Sequence, residues 1–153
     1  SYVQETTLIL VKPDGVQRGL IHKVMKRFES RGYKLAAIQM VLPSSALIEA
    51  HYAHLRECDF FPDLVAYMTS SPVCAMVWQG VNAVLTGRQI LGSTHPRDWS
   101  SGTLRGDFCQ VVERCVAHAS DSVQNANAEV ALWFPGGVLS YDLTMATWLL
   151  PQS

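Results

Sequence analysis

A histidine, His118, lies between a short apolar run and a cluster of small and polar residues at 119–122. Such a cluster is typical of the start of a helix. We therefore expect the imidazole to be fixed by a strand on one side and a helix cap on the other. Arg105 and Arg114 lie in the same stretch. An imidazole with guanidinium groups and helix N-terminal amides nearby is equipped to accept a phosphoryl group. The alternative is an ordinary histidine at the end of a strand.

Two further polar features have a spacing that bears on chemistry. His51 and His54 are three residues apart in a predicted helix, which permits both rings to face a metal ion. No carboxylate or cysteine follows at ligand spacing, so the pattern does not favour a metal site. Lys12 directly follows a buried apolar run, at the kind of strand end where sheets present functional groups.

Length and composition indicate one globular domain, residues 1–153. The chain has 48% hydrophobic residues and a formal net charge of −1, which suit a domain with a real core. The near-neutral charge argues against nucleic acid as a required partner. No apolar run approaches the ~20 residues of a membrane span, and the N-terminal residues do not resemble a signal peptide. The chain begins with Ser1, which leaves open that it is cut from a longer product.

The four cysteines have neither CxxC spacing nor the density of a disulfide scaffold. They indicate reduced thiols. We therefore expect a cytoplasmic protein without a membrane partner.

The hydrophobic periodicity predicts four strands with helices between them. The predicted strands are 7–11, 33–42, 73–78 and a fourth that leads into His118. The predicted helices are 20–31, one opened by 43–45, one after 60–61, 83–91 and 122–132. This order favours an α+β, ferredoxin-like split β-α-β fold, a four-stranded antiparallel sheet covered by helices on one face.

Three segments lack a periodic pattern. Residues 12–15 predict a turn after the first strand. Residues 92–106 contain three glycines and a proline and predict a long loop of the kind that carries an active site. The tail, 136–153, is expected to wrap the surface or a neighbouring subunit.

Several of these stretches, taken in order, resemble the nucleoside diphosphate kinase family. The matching pieces are 11–19 (Val-Lys-Pro-Asp-Gly-Val-Gln-Arg-Gly), 73–78, 86–88, 91–94, 102–108 and 118–122. The resemblance extends from about Thr7 to Phe134, and the tail beyond it matches poorly. It implies transfer of the γ-phosphate of a nucleoside triphosphate to a nucleoside diphosphate, by a ping-pong mechanism through a phosphorylated histidine.

The resemblance also implies roles for the matched residues. His118 is the nucleophile, Glu129 resembles the carboxylate that orients its ring, and Lys12 and Tyr52 lie near the ribose and the transferring phosphate. The residues that resemble the family's phosphate clamp are Arg88, Thr94 and Arg105. Those that resemble its apolar contacts on the base are Phe60 and Val112. Cys115 is at the position that contacts the ribose hydroxyl. Mg²⁺ arrives with the nucleotide phosphates, and Asp121 lies near it.

The sequence departs from the family pattern around the histidine. Where the family has Gly-Arg-Asn-x-x-His-Gly, this chain has Glu113, Cys115 and Ala119, and Cys58-Asp59 replaces Arg-Pro. A thiol is a weaker hydrogen-bond donor than the asparagine amide. A second interpretation is therefore a divergent, weakly active or inactive member that acts as a nucleotide-binding or oligomeric scaffold. The chain nevertheless retains five ionisable residues of the family's site, which favours the enzyme. These residues are His118, Lys12, Arg88, Arg105 and Glu129.

Large apolar residues also lie in stretches without a pattern to bury them, namely Trp99, Leu104, Trp148, Leu149 and Leu150. Exposed on a monomer they would form an unusual patch. We expect a homo-oligomer, which the resemblance implies is a hexamer.

Overall fold

A four-stranded antiparallel sheet with the strand order β2-β3-β1-β4 forms the centre of the molecule. This computed structural model describes residues 3–151. The strands are β1 (Gln4–Val11), β2 (Lys34–Val41), β3 (Val73–Val81) and β4 (Ala117–Ala119). β1 pairs with β3 on one side and with β4 on the other. The predicted α+β, ferredoxin-like architecture is confirmed.

Helices cover both faces of this sheet, rather than the one face expected from the sequence. The reason lies in β1, where Leu8 and Leu10 enter one core cluster while Ile9 and Val11 enter the other. Successive side chains of a strand point to opposite faces, so a continuous apolar run requires cover on both sides.

The helices divide between the two faces of the sheet. They are α1 (Pro13–Gln17), α2 (Ile21–Ser30), α3 (Ser45–His51), α4 (Phe61–Met68), α5 (Ala83–Leu91), α6 (Leu104–Phe108), α7 (Val123–Trp133) and α8 (Ala146–Leu149). Short 3₁₀ turns lie at Ala53–Leu55, Pro96–Asp98 and Val112–Arg114. Helices α2 and α5 supply Phe28 and Leu91 to one core cluster, while α3, α4 and α7 supply Ile48, Met68 and Trp133 to the other.

Two of the segments without a periodic pattern are more structured than their sequence predicts. The turn at 12–15 belongs to α1, which Pro13 starts at its first position, where the missing N–H costs nothing. The loop at 92–106 contains a 3₁₀ turn, and α6 begins inside it because the Thr103 side chain accepts from the Gly106 amide. Leu104 is consequently buried in the core, so the prediction of an exposed Leu104 is wrong.

The predicted fourth strand is reduced to three residues. The stretch before it forms α6 and a 3₁₀ turn instead, and Val116 adopts a φ of 64°, which ends extended pairing. β4 thus contacts β1 only from Ala117 to Ala119.

The tail is described as far as residue 151, and its first part lies against the start of β2. The Leu139 amide donates to the Ala36 carbonyl at 3.0 Å, and the Tyr141 hydroxyl donates to the Leu35 carbonyl. The tail therefore wraps the subunit's own surface, yet Trp148 remains 90% exposed. Among residues 3–151, no helix has the length and apolarity that crossing a bilayer requires.

Candidate active site

His118 is held from both sides, as its sequence context predicts. In β4 it pairs with Leu10 of β1. After it the chain turns into α7, whose N-cap is Ser122, with a side chain that accepts from the Asn125 amide at 3.0 Å. The imidazole therefore projects from a strand whose position is fixed by the centre of the sheet, and it is partly exposed in a cleft.

Glu129 on α7 orients the ring of His118. Its Oε2 lies 3.2 Å from His118 Nε2, and Ser120 Oγ donates to Oε1 at 2.5 Å. Burial alone would raise the pKa of Glu129, but the hydrogen bond and charge of His118, with the bond from Ser120, hold this pKa below its ordinary value. A carboxylate can only accept, so Nε2 carries the proton and Nδ1 keeps its lone pair.

A second histidine, His51 at the end of α3, packs against this pair. The His51 and His118 ring centroids are 4.7 Å apart, and the Trp133 indole N–H donates to His51 Nδ1 at 3.0 Å. Burial, followed by the charge of His118, lowers the pKa of His51 to about 3. The ring therefore stays neutral across the physiological range.

The donor atoms of His51, His118 and Glu129 lie within 4.8 Å of one another, close enough to surround a metal ion. The carboxylate that the sequence lacks at ligand spacing comes from α7. However, an indole N–H can only donate, so His51 Nδ1 is the acceptor and Nε2 keeps its proton. A metal ion would have to displace that proton, so the chemistry of these donors does not fit a metal site.

The cleft at His118 has a volume of about 500 Å³, and its lining includes Tyr52, Arg88 and Asp121. Tyr52 is buried, and its ring centroid is 6.3 Å from that of His118. Burial, with the charge of Glu129, raises the pKa of Tyr52, so its hydroxyl remains a neutral donor. Asp121 is exposed and accepts from Asn125 Nδ2 at 2.6 Å.

The predicted cationic residues converge from three elements. Arg88 of α5 lines the His118 cleft, donates to the Ala119 carbonyl at 3.4 Å, and also lines an adjoining cleft with Thr94. Arg105 of α6 is buried and donates to the Gly92 carbonyl at 3.2 Å, which ties the two ends of the 92–106 segment together.

Lys12, at the end of β1, lies close enough to Arg105 for their charges to interact. Burial and then the charge of Arg105 lower the pKa of Lys12, and burial lowers the pKa of Arg105. Within residues 3–151, neither these two side chains nor Arg88 forms an ion pair with a carboxylate. Crowded cations without a carboxylate partner favour an anionic ligand.

The remaining predicted contacts also lie outside the lining of the His118 cleft, as do Lys12, Thr94 and Arg105. Phe60 and Val112 are 53% and 49% exposed, so both present apolar surface to solvent. Cys115 is only 3% exposed, and its thiol donates to the Val111 carbonyl at 3.3 Å. The thiol is thus already satisfied within the chain.

Several residues of the site have no signal in the sequence pattern. Ser120 was predicted only as part of a helix start, yet its hydroxyl binds Glu129 and accepts from the Leu8 amide at 3.1 Å. Val116 combines a branched side chain with positive φ, held by Lys12 N–H to its carbonyl at 2.7 Å and by its own N–H to Asp14 Oδ2 at 3.0 Å. His51 and Trp133 meet only through tertiary packing.

Comparison with known proteins gives one consistent result. A family model described as Nucleoside diphosphate kinase matches residues 5–138. A nucleoside diphosphate kinase of Emericella nidulans is 51% identical over 95% of each chain. One of Drosophila melanogaster is 55% identical over 86% of each chain.

Solved structures agree with these sequence relatives. A nucleoside diphosphate kinase family protein from Babesia bovis superposes with a TM-score of 0.92 at 40% identity, covering 95% of this chain and 99% of its own. A halophilic nucleoside diphosphate kinase from Halobacterium salinarum, in complex with CDP, also has a TM-score of 0.92, at 36% identity, covering 97% of this chain and 99% of its own.

Proposed function

Because this chain belongs to the nucleoside diphosphate kinase family, we propose that His118 carries the phosphoryl group in its reaction. The function itself is that of a nucleoside diphosphate kinase, which transfers the γ-phosphate of a nucleoside triphosphate to a nucleoside diphosphate. The alternative of an inactive scaffold is not favoured, because kinases of this family are 51% and 55% identical over most of the chain.

The observation that carries this proposal is the contact between Glu129 Oε2 and His118 Nε2 at 3.2 Å. It leaves the Nδ1 lone pair free for attack. In the first half-reaction an Nδ1–P bond forms, the bond from the γ-phosphorus to the bridging oxygen breaks, and its electron pair leaves on the nucleoside diphosphate. In the second half-reaction, a terminal phosphate oxygen of the acceptor nucleoside diphosphate attacks the phosphorus. The Nδ1–P bond breaks, and its electron pair returns to Nδ1.

Glu129 then has a second role in the charge balance. Phosphorylation at Nδ1 gives the ring a positive charge, since Nε2 keeps its proton. The carboxylate 3.2 Å away neutralises that charge, and its lowered pKa keeps it ionised. His51 remains neutral because burial lowers its pKa to about 3, so it does not oppose this charge.

The cations position the phosphates rather than react with them. Phosphoryl transfer depends mainly on alignment and on neutralising the charge of the transferring group. We assign this role to Arg88, Thr94 and Arg105, with Lys12 close to the transferring phosphate. Burial and then the repulsion from Arg105 lower the pKa of Lys12, and an arriving anion offsets that repulsion.

Mg²⁺ enters as part of the nucleotide substrate. Mg²⁺ commonly takes one carboxylate, several waters and substrate phosphates as ligands. Asp121 fits that pattern, since it is exposed and lines the His118 cleft. Asp121 would help to hold the ion, which would reduce the negative charge of the phosphates.

Phe60 and Val112 are assigned to the nucleobase, because both present apolar surface without hydrogen-bonding groups. Such contacts do not distinguish one base from another. Cys115 is assigned to the neighbourhood of the ribose. It contributes little hydrogen bonding there, because its thiol already donates a hydrogen bond to the Val111 carbonyl.

The oligomer and the compartment complete the proposal. β2 is an edge strand of the sheet and exposes Ile38 and Met40, and Leu42 is exposed directly after it, which suits contact with another copy. We propose a homo-oligomer, a hexamer as the family resemblance implies. The four cysteines are free, which supports a cytoplasmic, reducing location.

The phosphoenzyme test addresses this function directly. Incubation with γ-labelled ATP and Mg²⁺ is expected to label the protein, with a bond that is labile to acid and stable to base. Addition of unlabelled nucleoside diphosphate should remove the label as labelled triphosphate. A protein that takes up no label while binding nucleotide would favour the scaffold instead.

A further inference from the structure

We propose that His51 is a positioning residue for the reaction, which presents an N–H, fixed in direction by Trp133, to the same oxygen of Glu129 that holds His118. The proposal rests on the proposed role of Glu129 and extends it to two residues for which the sequence predicted no role. It concerns the carboxylate rather than the nucleotide, because His51 acts through Glu129.

The tautomer of His51 follows from its partner. Trp133 Nε1 lies 3.0 Å from His51 Nδ1, and an indole nitrogen only donates. His51 Nδ1 must therefore be unprotonated, and in the neutral ring the proton is on Nε2. Burial keeps that ring neutral by lowering the pKa of His51 to about 3.

The Nε2–H of His51 lacks a hydrogen-bond partner within residues 3–151, although the side chain is fully buried. Its neighbouring acceptor is Glu129 Oε2, at 3.8 Å. A buried donor without a partner is unfavourable. The separation exceeds a hydrogen bond, so the contact acts on Oε2 as a directed dipole.

The geometry makes the two imidazoles converge. His118 Nε2 is 3.2 Å and His51 Nε2 is 3.8 Å from the same Oε2, while Ser120 binds the other oxygen. The carboxylate is therefore contacted at both oxygens, and its plane cannot rotate without losing one of these contacts. A fixed carboxylate in turn fixes the His118 ring for attack.

Other charged groups face this carboxylate from the elements around it. The titratable groups that share its surroundings are His118, Tyr52, Arg88, Asp121, His54 and Lys12. Of these groups, only His118 forms a hydrogen bond with Glu129 Oε2 among the residues 3–151. The effect of removing the His51 N–H should therefore be separable from theirs.

The direct test is nitrogen NMR of the imidazole rings in the full-length protein. His51 is expected to give the spectrum of a neutral Nε2–H tautomer from pH 5 to 8. In Trp133→Phe, which removes the indole donor, the Nδ1–H tautomer should gain population. Trp148→Phe, at an exposed tryptophan, is the matched control and should leave the His51 signals unchanged.

The second test compares His51→Leu with His51→Gln by titrating the Glu129 side-chain carbon. Leucine fills the space without a donor, while the glutamine amide can accept from Trp133 and donate toward Glu129. The pKa of Glu129 should rise by roughly half a unit to one unit in His51→Leu and stay near native in His51→Gln. The single-turnover rate of phosphorylation should fall about three- to tenfold in His51→Leu alone, with KM unchanged.

A purely structural role for His51 predicts a different outcome. Leucine and glutamine would then give the same Glu129 pKa and the same rate, and that equality would overturn the proposal. An Nδ1–H tautomer in the native protein would also overturn it, even if His51→Leu fails to fold. If the native protein shows the Nε2–H tautomer but takes up no phosphate on His118, the proposed function fails while the geometry of His51 stands.

Discussion

His118 and Glu129 are eleven residues apart in the chain, and the turn into α7 brings His118 Nε2 within 3.2 Å of Glu129 Oε2. This contact separates the two nitrogens of the imidazole. One holds a proton against a carboxylate, and the other faces the cleft with a lone pair.

The first prediction concerns the nucleophile. His118→Ala should abolish the acid-labile phosphoenzyme and nucleotide exchange, because no other side chain takes the place of Nδ1. The fold should be retained, since His118 is partly exposed at a strand end. Labelling with γ-labelled ATP and circular dichroism check the two halves of the prediction. Native-rate uptake of acid-labile phosphate by His118→Ala would remove His118 from the mechanism.

The second prediction concerns Glu129. Its pKa is below the ordinary value in the folded protein, so the ionised carboxylate stabilises the fold at neutral pH. That stabilisation is lost as the pH falls below the unfolded value and through the folded pKa. Glu129→Gln should therefore lower the free energy of unfolding at pH 7 and weaken the decline of that free energy as the pH falls below the ordinary pKa of a glutamate. Urea unfolding across this range is the measurement.

Glu129→Gln should also slow phosphorylation by about ten- to a hundredfold, the cost of losing a hydrogen bond to a charged group. Glu49→Gln, on α3 and exposed, is the control and should change neither quantity. An equal loss of stability on acidification in Glu129→Gln and the native protein would contradict the linkage.

The third prediction concerns the phosphate clamp. Arg88→Ala and Arg105→Ala should each cost roughly 2–4 kcal/mol of transition-state stabilisation, mostly in turnover, as for loss of one preorganised donor. The structure adds a distinction of degree between them. Arg105 is buried and donates to Gly92 at 3.2 Å, whereas Arg88 is only half-buried and donates to Ala119 at 3.4 Å. Arg105→Ala should therefore lower Tm by more than Arg88→Ala. Steady-state kinetics without loss in either variant would remove the 92–106 segment from the active site.

The parts of this molecule that the sequence predicted are those encoded locally. The bounds of α5 coincide with the predicted 83–91, and α3 begins after Ser44, whose side chain caps the Leu47 amide at 3.1 Å. Caps and apolar periodicity act over a few residues, so a local pattern is sufficient to predict them. The prediction that His118 and the cationic residues Lys12, Arg88 and Arg105 form the site also rests on motifs of short range.

The parts that the sequence did not predict depend on distant contacts. His51 and Trp133 are 82 residues apart, and nothing in either local pattern indicates a hydrogen bond between them. The Val116 backbone is held by Asp14, 102 residues away, so the shortening of β4 had no local signal. Leu104 was expected at the surface because its stretch lacks periodicity, but the Thr103 cap turns it into the core.

The fourth prediction concerns assembly. The native protein should scatter light as an oligomer at micromolar concentration, because β2 exposes apolar side chains at the edge of the sheet. Met40→Glu introduces a charge among the exposed apolar side chains of β2 and should lower the mass, while Val3→Glu, at an exposed apolar position just before β1, should not. A monomeric mass for the native protein would defeat the proposal.

The fifth prediction concerns Cys115, whose buried thiol donates to Val111 rather than into the cleft. The Cys115 thiol lies near the charges of Arg105 and Lys12, which oppose the rise in its pKa caused by burial. An amide at this position can therefore reach the surroundings of Lys12. Cys115→Asn should lower KM for nucleoside diphosphates about three- to tenfold, the value of roughly 0.5–1.5 kcal/mol for one added hydrogen bond.

The gain should disappear with 2′,3′-dideoxynucleotides, which lack the hydroxyl, and should be absent in Cys115→Ala, which removes the thiol without adding an amide. Equal gains with both classes of nucleotide would mean that residue 115 acts on the backbone near Val111 and not on the sugar.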